Sequence, residues 1–257
     1  MNRHLVWFFL CSFFFLLAGG PAHAQLQRLH KPYQLWAGTE VNYQVTAKHA
    51  FYFDNQWRHA SSNPDGNLAR KGLFASFEDI RVSLGYVYAL TANWSVETAQ
   101  RISWEKEETK WYNRFMLNYE RKLGPVGLET RFMYEHIRPF DKTPANQKLR
   151  PENRVRGNIG GERPFRLGRH QFELMAEAEL LFYLNEKTEP EPRLADRSRL
   201  EAGLTYVLSP SVGLTLFGIR QVRYKREQPP AEGPGPDVVK LNEITPIWGL
   251  ELEVDLP

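Results

Sequence analysis

Past residue 24 the chain has no cysteine, because its single one, Cys11, lies in an apolar N-terminal stretch. A chain that loses this stretch has no disulfide framework, no thiol nucleophile and no thiolate metal site. Leu10 stands where a lipoprotein signal has a small residue, and the apolar run continues past Cys11, so that cysteine does not read as a lipid acceptor. Also missing is any later apolar run near 18 residues, which excludes a membrane-spanning helix. A surplus of one charge is lacking too: 33 Lys and Arg stand against 30 Asp and Glu, a net +3. Binding to nucleic acid needs a basic surplus gathered on one face, so no nucleic-acid partner is expected.

The N-terminal stretch has the layout of a secretion signal. Arg3 supplies a basic start, Leu5 to Leu17 is almost wholly apolar, and Ala22-His23-Ala24 puts small residues where a signal peptidase reads. Its apolar core is too short to span a bilayer as a helix. The expected division is therefore a cleaved signal over 1–24 and one domain over 25–257.

What that domain does have is a period of two. In the last eleven residues Trp248, Leu250, Leu252, Val254 and Leu256 alternate with Gly249, Glu251, Glu253 and Asp255. This puts every apolar side chain on one face of a strand and every carboxylate on the other. The same alternation recurs from Tyr33 to Val45 and from Phe51 to Arg58. It continues through segments centred near 84, 99, 116, 131, 157, 177, 203 and 217. Short turns near 46–48, 90–93, 123–125, 164–169 and 209–210 take turns with longer polar links near 60–76, 105–110, 139–152, 185–196 and 226–237. The stretch from Pro229 to Pro236 has the composition of a loop tip.

Together these features predict an all-β fold: a single antiparallel up-and-down transmembrane β-barrel with short periplasmic turns and long extracellular loops. A polar lumen and large loops reconcile it with a mean hydropathy of −0.50. The expected place is the bacterial outer membrane. Eleven segments alternate, whereas single-chain bacterial barrels have even strand numbers. The expectation is about twelve strands, with residues 25–32 as the extra one, or ten if the Gly- and Arg-rich segment 153–162 is not a strand. Pro246, which has no N–H for the ladder, predicts a bulge or weak seam where the last strand meets the first.

The polar face predicts a lumen lined by Arg81, Glu97, Arg101, Arg114, Glu120, Glu129, Arg131, Arg154, Arg156, Glu173, Glu177, Glu179, Arg197, Arg199, Glu201 and Glu251, with Lys122, Glu135 and Glu253 of the same parity. Unpaired burial of any of them costs several kcal/mol, so they pair or meet water. Two roles follow, an ion-pair lattice that stiffens a small barrel or a narrow passive channel lined by charge. Glu173, Glu177 and Glu179 form a same-sign run expected to meet facing arginines. Trp57, Trp94, Trp104, Trp111, Tyr134, Tyr206 and Trp248 are expected outside, as aromatic girdles at the membrane interfaces.

Other classes of function find less in the sequence. A lipid-acting enzyme needs a Ser/His pair facing the bilayer, but His30, His49, His59, His136 and His170 have no serine in a recognisable motif beside them. No catalytic, cofactor or metal residues are expected. A soluble secreted β-barrel or sandwich is the alternative architecture, since one core face also alternates.

Finally, Gln34-Leu35-Trp36 with Glu40, Tyr43, a short turn and Arg58 resembles the bacterial outer-membrane family labelled domain of unknown function 2490. Leu84-Gly85-Tyr86 and Asn93-Trp94 fit the same pattern. The resemblance implies an outer-membrane barrel and brings no activity or catalytic residues. Gly249, Leu252 and Val254 resemble the C-terminal signal read by the barrel-assembly machinery, with aliphatics in place of aromatics. Assembly machinery and membrane lipid are thus the expected partners of a monomer.

Overall fold

The computed structural model describes residues 26–60, 76–105, 108–140, 150–184, 195–227 and 239–257. The expected signal over 1–24, Cys11 and the Pro229–Pro236 stretch lie outside these residues. The described residues contain twelve strands and no helix: β1 (Leu26–His30), β2 (Gln34–Thr46), β3 (His49–Ala60), β4 (Ser76–Ala89), β5 (Trp94–Glu105), β6 (Thr109–Leu123), β7 (Val126–Phe140), β8 (Glu152–Leu167), β9 (His170–Tyr183), β10 (Arg197–Ser209), β11 (Val212–Glu227) and β12 (Val239–Leu256).

From β2 to β12 each strand pairs antiparallel with the next, and β12 pairs with β2 to close the ring. The barrel therefore has eleven staves. An odd number of up-and-down staves forces the first and last to run the same way, and the seam is indeed parallel, from Ile247↔Gln34 to Leu256↔Tyr43. This corrects the expectation of an even, wholly antiparallel closure. β1 is a twelfth strand but not a twelfth stave: it lies parallel to the upper part of β12, from Leu26↔Lys240 to His30↔Ile244, on the same edge that β2 takes further down. The segment at 153–162 is genuine and forms most of β8.

The seam carries the irregularity that Pro246 predicts. The partner offset is 214 along β1 and 213 along β2, so three residues (Lys31, Pro32, Tyr33) stand against two (Thr245, Pro246). Lys31 N–H donates to the Ile244 carbonyl at 2.9 Å, which shows that Ile244 turns its backbone groups to the seam. Pro246, two residues on, has the same orientation and no N–H to offer. The one-residue bulge sits where the ladder lacks a donor.

At one end the hairpins close through short connections of two to four residues, at 47–48, 90–93, 124–125, 168–169 and 210–211. The turn expected over 164–169 is tighter than that, because Pro164 is still paired with Glu173 inside β8. The connections at the other end fall largely outside the described residues.

Alternation sorts the side chains to the two faces. Outside stand Phe51, Phe53, Leu84, Phe115, Phe132, Leu174, Leu216 and Leu250, each 41–61% exposed. The interior is not purely polar. Trp36, Phe217, Ile219 and Ile247 form one buried cluster, and Ala99, Met116 and Met133, with Tyr52 against them, form another. Two strand glycines make room for this packing. Phe217 lies across its partner Gly249, where a Cβ would stand 2.0 Å from the ring, and Tyr52 lies across Gly85, where a Cβ would stand 2.1 Å away. Gly249 in the last strand is thus a packing surface, not merely a small residue in an alternating run.

Parallel closure has a direct test in a domain without native cysteine. Ala37 and Leu250 are partners across the seam. A chain carrying Ala37→Cys and Leu250→Cys is expected to form an intramolecular disulfide on mild oxidation, since paired Cα atoms fall within bridging distance. Folded protein that gives no cross-link would contradict the seam.

Candidate functional site in the barrel interior

The sixteen lining charges expected from the sequence all occupy the inner face: Arg81 on β4, Glu97 and Arg101 on β5, Arg114 and Glu120 on β6, Glu129 and Arg131 on β7. Arg154 and Arg156 lie on β8, Glu173, Glu177 and Glu179 on β9, Arg197, Arg199 and Glu201 on β10, and Glu251 on β12. Trp57, Trp94, Trp104, Trp111 and Trp248 point outward and are 37–58% exposed. Tyr134 and Tyr206 share the outer face and hydrogen-bond there, to Asn153 and His170.

The interior is organised around a residue outside that set of sixteen. Glu135 on β7 has no solvent exposure. Its cross-strand partners are Arg114 on β6 and Arg154 on β8, an opposite-charge row that register alone brings together. Arg154 Nε donates to Glu135 Oε2, Arg156 Nε reaches the same oxygen at 2.8 Å, and Arg114 Nε lies 3.5 Å from Oε1. Arg156 also holds Glu179 at 3.2 Å, and Arg199 holds the other oxygen of Glu179 at 3.3 Å while donating to Gln221 at 2.9 Å. The charges form one chain from β6 to β10, which a hydrogen bond to Gln221 ties to β11.

Two smaller groups continue around the wall. Arg58 and Arg81 flank Asp79 at 3.6 and 2.7 Å, and the Arg58 guanidinium lies 3.5 Å above the centre of the Trp36 ring. Arg101 reaches Asp54 at 2.9 Å and Ser83 at 2.7 Å, and Ser83 in turn donates to Asp54 at 3.0 Å. Burying any of these ions alone would cost several kcal/mol, and the pairing offsets it, although Asp79 Oδ1, Arg114 Nε, Glu135 Oε1 and Glu179 Oε1 are held by charge alone, without a hydrogen bond. In these three groups seven arginines meet four carboxylates, so this part of the interior carries excess positive charge.

Nearer the short turns the sign reverses. Glu253, Glu40 and Asp54 are consecutive cross-strand partners over β12, β2 and β3, Glu177 faces Glu201, and Glu120 faces Glu129. Glu40, Glu120, Glu177, Glu201, Glu251 and Glu253 make no ion pair among the described residues. Like charges set directly opposite repel, so these side chains need water or counter-ions. The sequence suggests charges of mixed sign; the fold separates them into an arginine-rich tier and a carboxylate-rich tier. Of Glu173, Glu177 and Glu179, Glu179 alone meets arginines, while Glu177 accepts from Asn158 at 3.1 Å.

Trp36, Tyr112, Met133, Ile137, Leu181 and Phe217 fill the interior between the charges. A sequence signal existed for several of them, since Met133 and Ile137 share the parity of Glu135. No group of three or more His, Cys, Asp or Glu side chains among the described residues could hold a metal ion.

These features define the class as a closed β-barrel with a charged, side-chain-filled interior. Over residues 33–230 the chain matches the family described as "Protein of unknown function (DUF2490)", and it belongs to that family. The match takes in β2 through β11 and leaves β12 outside it. No curated protein matches the chain.

Glu135→Gln keeps the shape of the hub but leaves three arginines facing a neutral group. The expected loss is about 3–5 kcal/mol, read from the urea midpoint of the folded protein. Glu251→Gln, at a carboxylate with no ion partner, is expected to stay within about 0.5 kcal/mol. Equal sensitivity at the two positions would contradict the hub.

Proposed function

We propose that the protein is a bacterial outer-membrane β-barrel whose interior is closed by its own side chains, acting as a structural or binding scaffold for its connecting segments. One observation carries the closed interior: Glu135, Leu181, Ser83 and Ser103 have 0% exposure and Ile137 and Ile247 1%. A conducting lumen keeps its wall wetted, whereas this one is dry where the ion-pair chain crosses it.

Support for the membrane comes from the outer face. It presents Phe, Leu and Trp on stave after stave, far more apolar surface than a soluble monomer exposes in one patch. A soluble β-barrel or sandwich would hide that face. The exposed tryptophans then serve as interfacial anchors. On this reading β12 is what the assembly machinery engages, lipid covers the outer face, and the protein is a monomer.

The outward histidines support a non-enzymatic role. His136 is held through Nδ1 by Asn153 at 2.7 Å and through Nε2 by Arg138 at 3.1 Å. His49 and His170 pair with the Tyr86 and Tyr206 hydroxyls at 2.7 and 2.8 Å. Each is committed to a neighbour, and none of these partners is a serine.

In planar bilayers the folded protein is expected to give no steady conductance, and in detergent gels to migrate differently before and after boiling. Ohmic current from correctly folded protein would overturn the closed interior. Recovery as a soluble periplasmic protein would overturn the membrane placement.

A further inference from the structure

Of the inner-face arginines towards the end away from the short turns, most are spoken for: Arg154, Arg156 and Arg199 by Glu135 and Glu179, and Arg58 and Arg81 by Asp79. Arg197 is different. It opens β10 and its direct cross-strand partner on β11 is a second arginine, Arg223. Arg197 makes no ion pair with any described residue, and its Nε is buried without a hydrogen-bond acceptor. The guanidinium groups of Arg199, Arg223 and Arg154 act on it with its own sign, and the Tyr183 hydroxyl acts on it the other way.

The carboxylates in the neighbourhood are engaged elsewhere. Asp196, the preceding residue, accepts from the Tyr183 N–H at 2.6 Å. Glu243, across from Arg223 on β12, takes Lys225 at 3.0 Å and Lys31 at 3.3 Å. Two directly opposed guanidinium groups repel. A buried guanidinium donor without an acceptor costs further free energy. Arg223 is exposed, so the pair is reached from solvent at this mouth of the barrel.

We infer that Arg197 and Arg223 form an anion-binding site at the mouth opposite the short turns, built for a phosphate- or carboxylate-bearing solute. The chemistry follows from the donors. Each guanidinium offers a planar fork that matches the oxygens of a phosphate or carboxylate, and one such anion between them satisfies Arg197 Nε and cancels the like-charge contact. The inference does not depend on the membrane reading, so the bilayer experiment and the one below fail independently.

Inorganic phosphate titrated into the folded full chain in detergent, followed by calorimetry, is the test. Saturable binding of one phosphate per chain is expected. Arg223→Gln should weaken it at least fivefold. Arg197→Lys, which keeps the charge but loses the fork, should weaken it similarly. Arg163→Gln, on the outer face, should leave it unchanged. No saturable binding, or binding indifferent to Arg223→Gln and Arg197→Lys, overturns the site. Binding that appears only when Glu186, Glu189 and Glu191 are all changed to Gln also overturns it, because the anion is then the chain's own carboxylate.

Discussion

A carboxylate cut off from solvent in the middle of a barrel must be neutralised by the barrel itself. Glu135 meets that constraint with arginines from both neighbouring strands and a third two residues along β8. Because Arg156 reaches on to Glu179 and Glu179 to Arg199, the constraint spreads over β6 to β10. Each link is a cross-strand or diagonal neighbour, so the chain of charges exists only in this register. A slip of one residue would send every member to the outer face.

The apolar interior residues depend on the same arrangement. Trp36 stacks under Arg58, and Tyr112 faces Arg154 at 5.3 Å, so aromatic faces cover the flat sides of guanidinium groups that also reach carboxylates, Asp79 and Glu135. Phe217 and Tyr52 lie over glycines on adjacent strands, which brings large rings close to the wall and fills the space between charged groups. The interior is thus mixed, fully buried at Glu135 where the arginine and carboxylate chain crosses it and lined near the short turns by carboxylates that face one another without an ion pair among the described residues.

Much of the fold was legible because a barrel wall writes a period of two into each stave. The eleven alternating segments are the eleven staves, and Pro246 marked the seam bulge. The stave count went astray through a rule and not through the residues: requiring an even number cast doubt on β8 and hid a parallel seam. Inner-face parity was readable residue by residue, but pairing was not. Nothing in the sequence distinguishes Glu135, which meets three arginines, from Glu177, which faces Glu201, because partners are set by register across strands distant in the chain. Interior apolar residues such as Leu181 and Phe217 were obscured for a related reason, since an apolar residue on the polar stripe reads as noise until the opposite wall is known.

The most direct probe of the interior is the coupling between Glu135 and Arg156. A double-mutant cycle with Glu135→Gln, Arg156→Gln and the double variant, read from urea unfolding of the folded protein, isolates that pair from the rest of the wall. Coupling of about 2 kcal/mol or more is the expected result, because each single change leaves buried charge uncompensated. Additive losses, with coupling near zero, would mean that Glu135 does not hold the interior together.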